Sequence, residues 1–177
     1  MTALSRTPGD VNLLQASKFQ LSFSRIPTVQ YFCQIANIPG VSMGGAPFET
    51  PFRDMKVPGD KLDYEELKIE FLLDEKLAGW QELYAWLRSM GSPKSFEERA
   101  KLSTLENSFV RNANKRSYSD ATLIVLNGLN NPVLRVQYYN TFITTLSGIE
   151  FDTKVSTDDV LTGKASFYFD YYDFGPV

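Results

Sequence analysis

Three features of the sequence predict a mainly β, α+β fold: a curved antiparallel sheet or sandwich with one packed helix. Several short segments alternate apolar and polar residues, the period of a strand with one buried and one wet face. A single stretch repeats its apolar residues at three- and four-residue spacing, the stripe of a surface helix. The 177 residues are 43% hydrophobic and include thirteen Phe, nine Tyr and two Trp, enough to bury one core in one domain.

Residues 1–17 mix Thr, Pro, Gly and Asp with Val11, Leu13 and Leu14, an N-terminal arm whose apolar piece is free to dock elsewhere. Over 18–24, Phe19, Leu21 and Phe23 alternate with Lys18, Gln20, Ser22 and Ser24, which predicts a half-buried strand. Ile26-Pro27 reads as a turn and 29–36 as a second strand, with Val29, Tyr31, Cys33 and Ile35 on one face. The two strands are expected to form an antiparallel hairpin, ended by Ile38-Pro39-Gly40. Residues 41–60 hold Gly44, Gly45, Pro47, Pro51, Pro58 and Gly59 around Phe48, Phe52 and Met55. That composition predicts a projecting loop or hairpin whose apolar side needs a partner, with Pro58-Gly59-Asp60 as a turn.

The clearest strand covers 64–74, where Leu67, Ile69, Phe71 and Leu73 share one face and Glu66, Lys68 and Glu70 the other. Asp74 is a suitable N-cap for a helix over 75–90, whose stripe of Leu77, Trp80, Leu83, Tyr84 and Leu87 forms the helix core. Gly91 and Pro93 stop it. A long basic loop follows over 91–118, with a short helical turn near 96–102. Strands are predicted at 121–127 and 133–139 around turn material at 128–132, while 141–151 fits either a short helix or a strand. A polar turn at 152–162 leads into a last strand at 163–173, in which Ala165, Phe167, Phe169 and Tyr171 alternate with Ser166, Tyr168, Asp170 and Tyr172. Residues 18–174 thus read as a single domain, with 175–177 as a C-terminal tail.

The chemistry that is missing narrows the function. There is no histidine, the most frequent metal ligand and neutral-pH proton carrier, and the single cysteine, Cys33, cannot form an internal disulfide. Gly163-Lys164 lacks the glycine of a phosphate loop five positions earlier, where Asp158 stands, and Ala165 replaces its Ser or Thr. G-x-G-x-x-G does not occur. The pairs Glu65-Glu66, Glu97-Glu98 and Asp158-Asp159 read as solvated charge, and Cys33 as a small core residue. No enzyme, cofactor or metal is expected. The N-terminal residues show no apolar run of signal-peptide length, and no stretch approaches a membrane helix. The net charge is −3, which argues against a dedicated nucleic-acid binder. Residues 60–75 nevertheless carry seven acids and two bases, and 88–116 seven bases and three acids, opposite patches that suit association between copies.

The order of these segments resembles the tail tube proteins of contractile-tailed bacteriophages, related in fold to the haemolysin-coregulated protein of type VI secretion. The likeness rests on Asn12-Leu-Leu, Phe19-Gln-Leu-Ser-Phe, Phe32-Cys33-Gln34, Ile38-Pro39-Gly40, Val57-Pro58-Gly59-Asp60, Leu67-Lys-Ile-Glu-Phe71, Asp74-Glu75 with the Trp80–Leu87 segment, and Ala165-Ser-Phe-Tyr-Phe-Asp-Tyr171. The resemblance implies a hexameric ring in which each subunit contributes strands to a closed β-barrel around a channel, with rings stacked into a tube. Glu66, Lys68, Glu70, Ser166 and Asp170 are then lumen candidates, with Gln20 and Arg135 following by parity, and a carboxylate-rich lumen is expected to repel DNA. Leu13, Phe48, Phe52 and Met55 become contacts between rings or subunits.

Further implications of the resemblance are partners among the tail sheath, baseplate and tube-terminator proteins, with the tape-measure protein and genomic DNA passing through. The virion tail would be the location, after assembly in the host cytoplasm. The long 91–118 loop and the C-terminal extension leave open a tube-initiating or tube-terminating ring in place of the bulk tube. A different class, a monomeric β protein binding a small ligand among its aromatics, also remains open.

Overall fold

The computed structural model describes residues 12–49, 51–91, 118–152 and 160–176. Their elements run β1 (Phe19–Phe23), α1 (Pro27–Phe32), β2 (Cys33–Ala36), β3 (Val41–Phe48), β4 (Met55–Tyr64), β5 (Leu67–Leu72), α2 (Ala78–Gly91), β6 (Ser119–Leu126), β7 (Pro132–Leu146), β8 (Thr162–Tyr168) and β9 (Tyr171–Gly175). Seven strands join one antiparallel sheet in the order β1-β6-β7-β8-β5-β2, with β9 also on β7; β3 and β4 form a sheet of their own. The class is α+β with antiparallel sheets, as the alternation predicts, but with two helices rather than one. The described strands close no barrel within the subunit.

Strand β7 organises the sheet. Its first half pairs with β6 on one side and β9 on the other, and its second half pairs with β8. The change falls at Asn140, which adopts a left-handed backbone (φ 54) and donates its side-chain amide to Asp170. Asparagine tolerates this conformation better than bulkier residues do. The backbone N–H of Asp170 donates to the Tyr139 carbonyl at 3.0 Å. The predicted strand at 163–173 is therefore two collinear strands broken at residues 169–170, and the ambiguous segment 141–151 begins as the continuation of β7.

One apolar cluster joins the sheet to both helices. Leu21 and Phe23 of β1, Leu67, Ile69 and Phe71 of β5, Val136 and Tyr138 of β7 and Phe167 of β8 meet Val29 of α1 and Leu83 and Trp86 of α2. Phe23 and Trp86 both pack on the Phe167 ring, with centroids 5.1 and 5.9 Å away. The alternation is read out directly: β5 buries Leu67, Ile69 and Phe71 and turns Lys68 outward.

Two expectations near the N-terminus are corrected. Residues 27–32 are helical, because Pro27 at the first helical position supplies the required φ and Ile26, Val29 and the half-buried Phe32 recur at helical spacing toward the core. The expected hairpin between 18–24 and 29–36 is absent: β1 pairs with β6 and the short β2 with β5. Helix α2 also starts later than predicted, at Ala78. Leu77 has a left-handed backbone (φ 52), and its N–H closes a turn on the Asp74 carbonyl at 2.9 Å, so Asp74 belongs to that turn instead of capping the helix.

The buried stripe of α2 is Gly79, Leu83 and Trp86. Of the five residues read as helix core, Leu83 is fully buried, Leu87 packs against the cluster, and Leu77 and Trp80 are half-buried. Tyr84 is 44% exposed and stacks on Trp80 outside the core. The long loop at 91–118 lies outside the described residues beyond Gly91, as do 153–159 of the polar turn and residues 1–11 of the arm.

Candidate assembly surfaces

Strands β3 and β4 form a hairpin that stands away from the body, and every residue of β3 is exposed. Val41 pairs with Tyr64 and Met43 with Leu62 near the base, whereas Ala46 pairs with Val57 and Phe48 with Met55 near the tip. Neighbouring strand residues point to opposite faces. The base patch of Val41, Met43 and Leu62 thus lies on one face, and the tip patch of Ala46, Phe48, Val57 and Met55 on the other. Phe52, between the strands, is 99% exposed. A lone two-stranded hairpin is at best marginal in water, so one with apolar residues on both faces is built to be covered.

The register shifts between Met43 and Gly45, at the boundary between the two patches. A Cβ on Gly59 would lie 2.4 Å from the Gly44 carbonyl oxygen, so close approach of the two backbones requires glycine there. Pro58 and Gly59 are consequently inside β4 rather than in the expected turn. Phe48 and Met55 are paired at the end of the hairpin, with the fully exposed Phe52 in the connection between the strands, while Leu13 is exposed in the segment before β1. Val41, Met43, Val57 and Leu62 escaped the sequence reading because glycines and prolines break the alternation around them.

A second surface is the outward face of β5 and β8. Lys68 lies opposite Ser166, and Glu70 opposite Lys164. Glu70 accepts a hydrogen bond from the Thr162 hydroxyl at 2.9 Å and pairs with the Lys164 ammonium at 3.6 Å. Glu66 is half-buried just before β5, and Asp170 sits apart at the break between β8 and β9. Lys164 was missed because it was read only as part of a failed phosphate motif, although its parity in 163–173 already placed it beside Ser166. Lys68 and Lys164 share this face with Glu70, next to Glu66, so the face carries balanced charge.

No group of three or more His, Cys, Asp or Glu side chains able to hold a metal occurs among the described residues. Burial pushes the Cys33 thiol up to about 11, only partly opposed by the Ile35 backbone, which makes it a poor nucleophile near neutrality. An open groove of about 370 Å³ runs beside the free edge of β1, lined by Phe19, Gln20, Leu21, Pro27, Gln30, Tyr31 and Cys33. It is a surface feature rather than the enclosed aromatic cavity that a small-ligand carrier needs. No described helix is long and apolar enough to cross a membrane.

This arrangement of a shared antiparallel sheet, packed helices and projecting hairpin is the fold of tube proteins from contractile tails and injection machines, and the resemblance seen in the order of sequence segments stands. The chain superimposes on a protein in the anti-feeding prophage tube-terminating cap with a TM-score of 0.61 at 11% identity, covering 100% of both chains. A chain of the anti-feeding prophage baseplate gives 0.57 at 12% identity, covering 96% of this chain and 97% of that one. A chain from the sheath–tube complex of the PVC extracellular contractile injection system gives 0.53 at 13% identity, covering 93% of each. In sequence, the chain is similar to the tail tube terminator protein of Enterobacteria phage T4, 27% identical over 116 residues. The match takes in 65% of this chain and 58% of the phage T4 protein. No protein-family profile matches the chain.

Proposed function

We propose that this chain is a structural protein that assembles with copies of itself into a ring terminating the tube of a contractile tail. The observation that carries the assembly reading is the β3–β4 hairpin, whose two apolar faces find no cover among the described residues. The likeness to the phage T4 tube terminator and to the anti-feeding prophage cap supports an end ring over the bulk tube protomer. The tip patch with Phe52 would seat on the adjoining ring, and Leu13 would add a contact from the N-terminal arm. Six copies would align their β5–β8 faces around the channel, so that Glu66, Lys68, Glu70 and Ser166 line it, with Asp170 at its margin. The balanced charge of that face gives DNA phosphates little net attraction, so the genome and tape-measure protein would pass without sticking. Sheath and baseplate proteins would be the remaining partners in the virion tail.

The test is negative-stain electron microscopy beside size-exclusion chromatography over a concentration series, alone and with preformed tubes of the cognate tube protein. Single rings that do not elongate, and that occupy tube ends, are expected. Long tubes from the protein alone would return the bulk-tube reading, and a monomer that ignores tube ends would overturn both.

A further inference from the structure

The hairpin meets the body through few described contacts, and they converge on one side chain. The Tyr172 hydroxyl donates to the Pro39 carbonyl at 3.2 Å, gripping the leg that enters β3. The Tyr172 ring stands 5.4 Å from the ring of Tyr64, which ends β4, and so grips the leg that leaves. Tyr64 also meets Phe169 at 5.7 Å, and Tyr172 meets Tyr138 at 5.7 Å, edge to face in both cases. Between the legs, the Glu65 N–H donates to the Gly40 carbonyl at 2.9 Å. Tyr172 itself is fixed by strand pairing, since β9 places it opposite Tyr138 of β7.

We infer that Tyr172 is a positioning residue, a clasp that sets the angle at which the hairpin leaves the sheet. Its ring packs against Tyr64 on the second leg, and its hydroxyl ties the first leg to β9, so the hairpin is aimed by the C-terminal strand rather than by its own turn. Phe174, 58% exposed and 5.4 Å from the Tyr172 ring, extends the same aromatic row to the surface. A neighbour covering Phe174 would therefore press on the element that aims the hairpin. This consequence for assembly rests on the ring reading proposed above; the clasp itself does not.

Tyr172→Phe keeps the ring contacts and removes only the hydroxyl, which isolates the hydrogen bond from folding. Spin labels at Asp54→Cys near the hairpin tip and Asp120→Cys on β6, in a Cys33→Ser background, report the tip-to-body distance by pulsed electron resonance. The expected result is a distance distribution clearly broader in Tyr172→Phe than in its parent, with an unchanged far-ultraviolet circular dichroism spectrum and a melting temperature within a few degrees. Where the parent caps tubes, the variant should occupy severalfold fewer ends. A distribution of unchanged width overturns the clasp. The distances decide this whether or not rings form, so a parent that never assembles counts against the ring reading alone.

Discussion

Single side chains decide how firmly this fold is held. Trp86 is 2% exposed and lies between the Phe167 ring and the Arg25 guanidinium, whose central carbon is 5.0 Å from the indole centroid. Trp86→Ala should lose about 3–5 kcal/mol in a urea titration. Trp80→Phe should lose only about 1 kcal/mol, since its indole N–H donates to the Ser147 carbonyl at 3.1 Å from a half-buried position. Equal losses would contradict the placement of the α2 stripe. Tyr138 presents the opposite case, a buried hydroxyl with no hydrogen-bond partner among the described residues. Desolvation, with Tyr172 adding to it, drives its phenol well above the usual tyrosine range. Tyr138→Phe removes that unsatisfied group and should leave stability unchanged or raise it by up to about 1 kcal/mol, measured in the same titration.

Cys33 gives a pH dependence with a definite sign. Its folded pKa of about 11 lies above the ordinary 9.0, so the native state holds the proton more tightly than the unfolded chain. The resulting stability is complete below pH 9 and is lost as pH rises toward 11. Iodoacetamide should label the native protein slowly at pH 8 and faster as pH climbs through that window, while urea-unfolded protein reacts readily at pH 8. Equal rates for the two states at pH 8 would show an exposed, ordinary thiol.

At the scale of elements, strand periodicity was legible wherever one face met the core and the other met water, as in β1, β5 and β6. It misled at 27–32 because a six-residue helix is shorter than two turns, and Val29, Tyr31 and Cys33 satisfy an alternation by accident. The helix stripe was off because Leu77, in a left-handed conformation, cannot belong to the helix that the pattern ran through. Partner choice was not legible at all, since periodicity carries no information about which strand lies alongside. The hairpin was recognised from its composition, but its two-sided character comes from parity, Val41 and Met43 against Ala46 and Phe48, and its pairing from the register shift at Gly44 and Gly45. Gly59→Ala should test that register. The added methyl would meet backbone, which opens the hairpin while the separately packed body keeps its melting transition. Backbone amide spectra should then change over residues 41–64 and little elsewhere, whereas changes spread through β6 and β7 would mean that the hairpin and body fold as one unit.

At the scale of the molecule, the sequence order of segments pointed to the fold, and the lumen candidates on β5 and β8 do share one outward face. Parity alone put Lys164 on that face, but the charge balance it makes with Glu70 was not legible without the β5–β8 register. On the ring reading this balance has a measurable outcome. Assembled rings of the double variant Glu66→Lys and Glu70→Lys should retain DNA on a filter at low ionic strength far better than wild-type rings, and about 0.5 M salt should abolish the difference. Retention that equals wild type at low salt would place this face away from the channel.

The strand order also sets a timetable for synthesis. Strand β1 ends at Phe23, but its partner β6 begins only at Ser119, and β5 ends at Leu72 while its partner β8 begins at Thr162. At roughly 5–20 residues per second, the early strands leave the ribosome about 5–20 s before the residues that will cover them. During that interval Leu21 and Phe23 have no partner strand, and Ile69 and Phe71 have only the short β2 beside them, so apolar faces stay open to wrong pairing until the C-terminal third emerges.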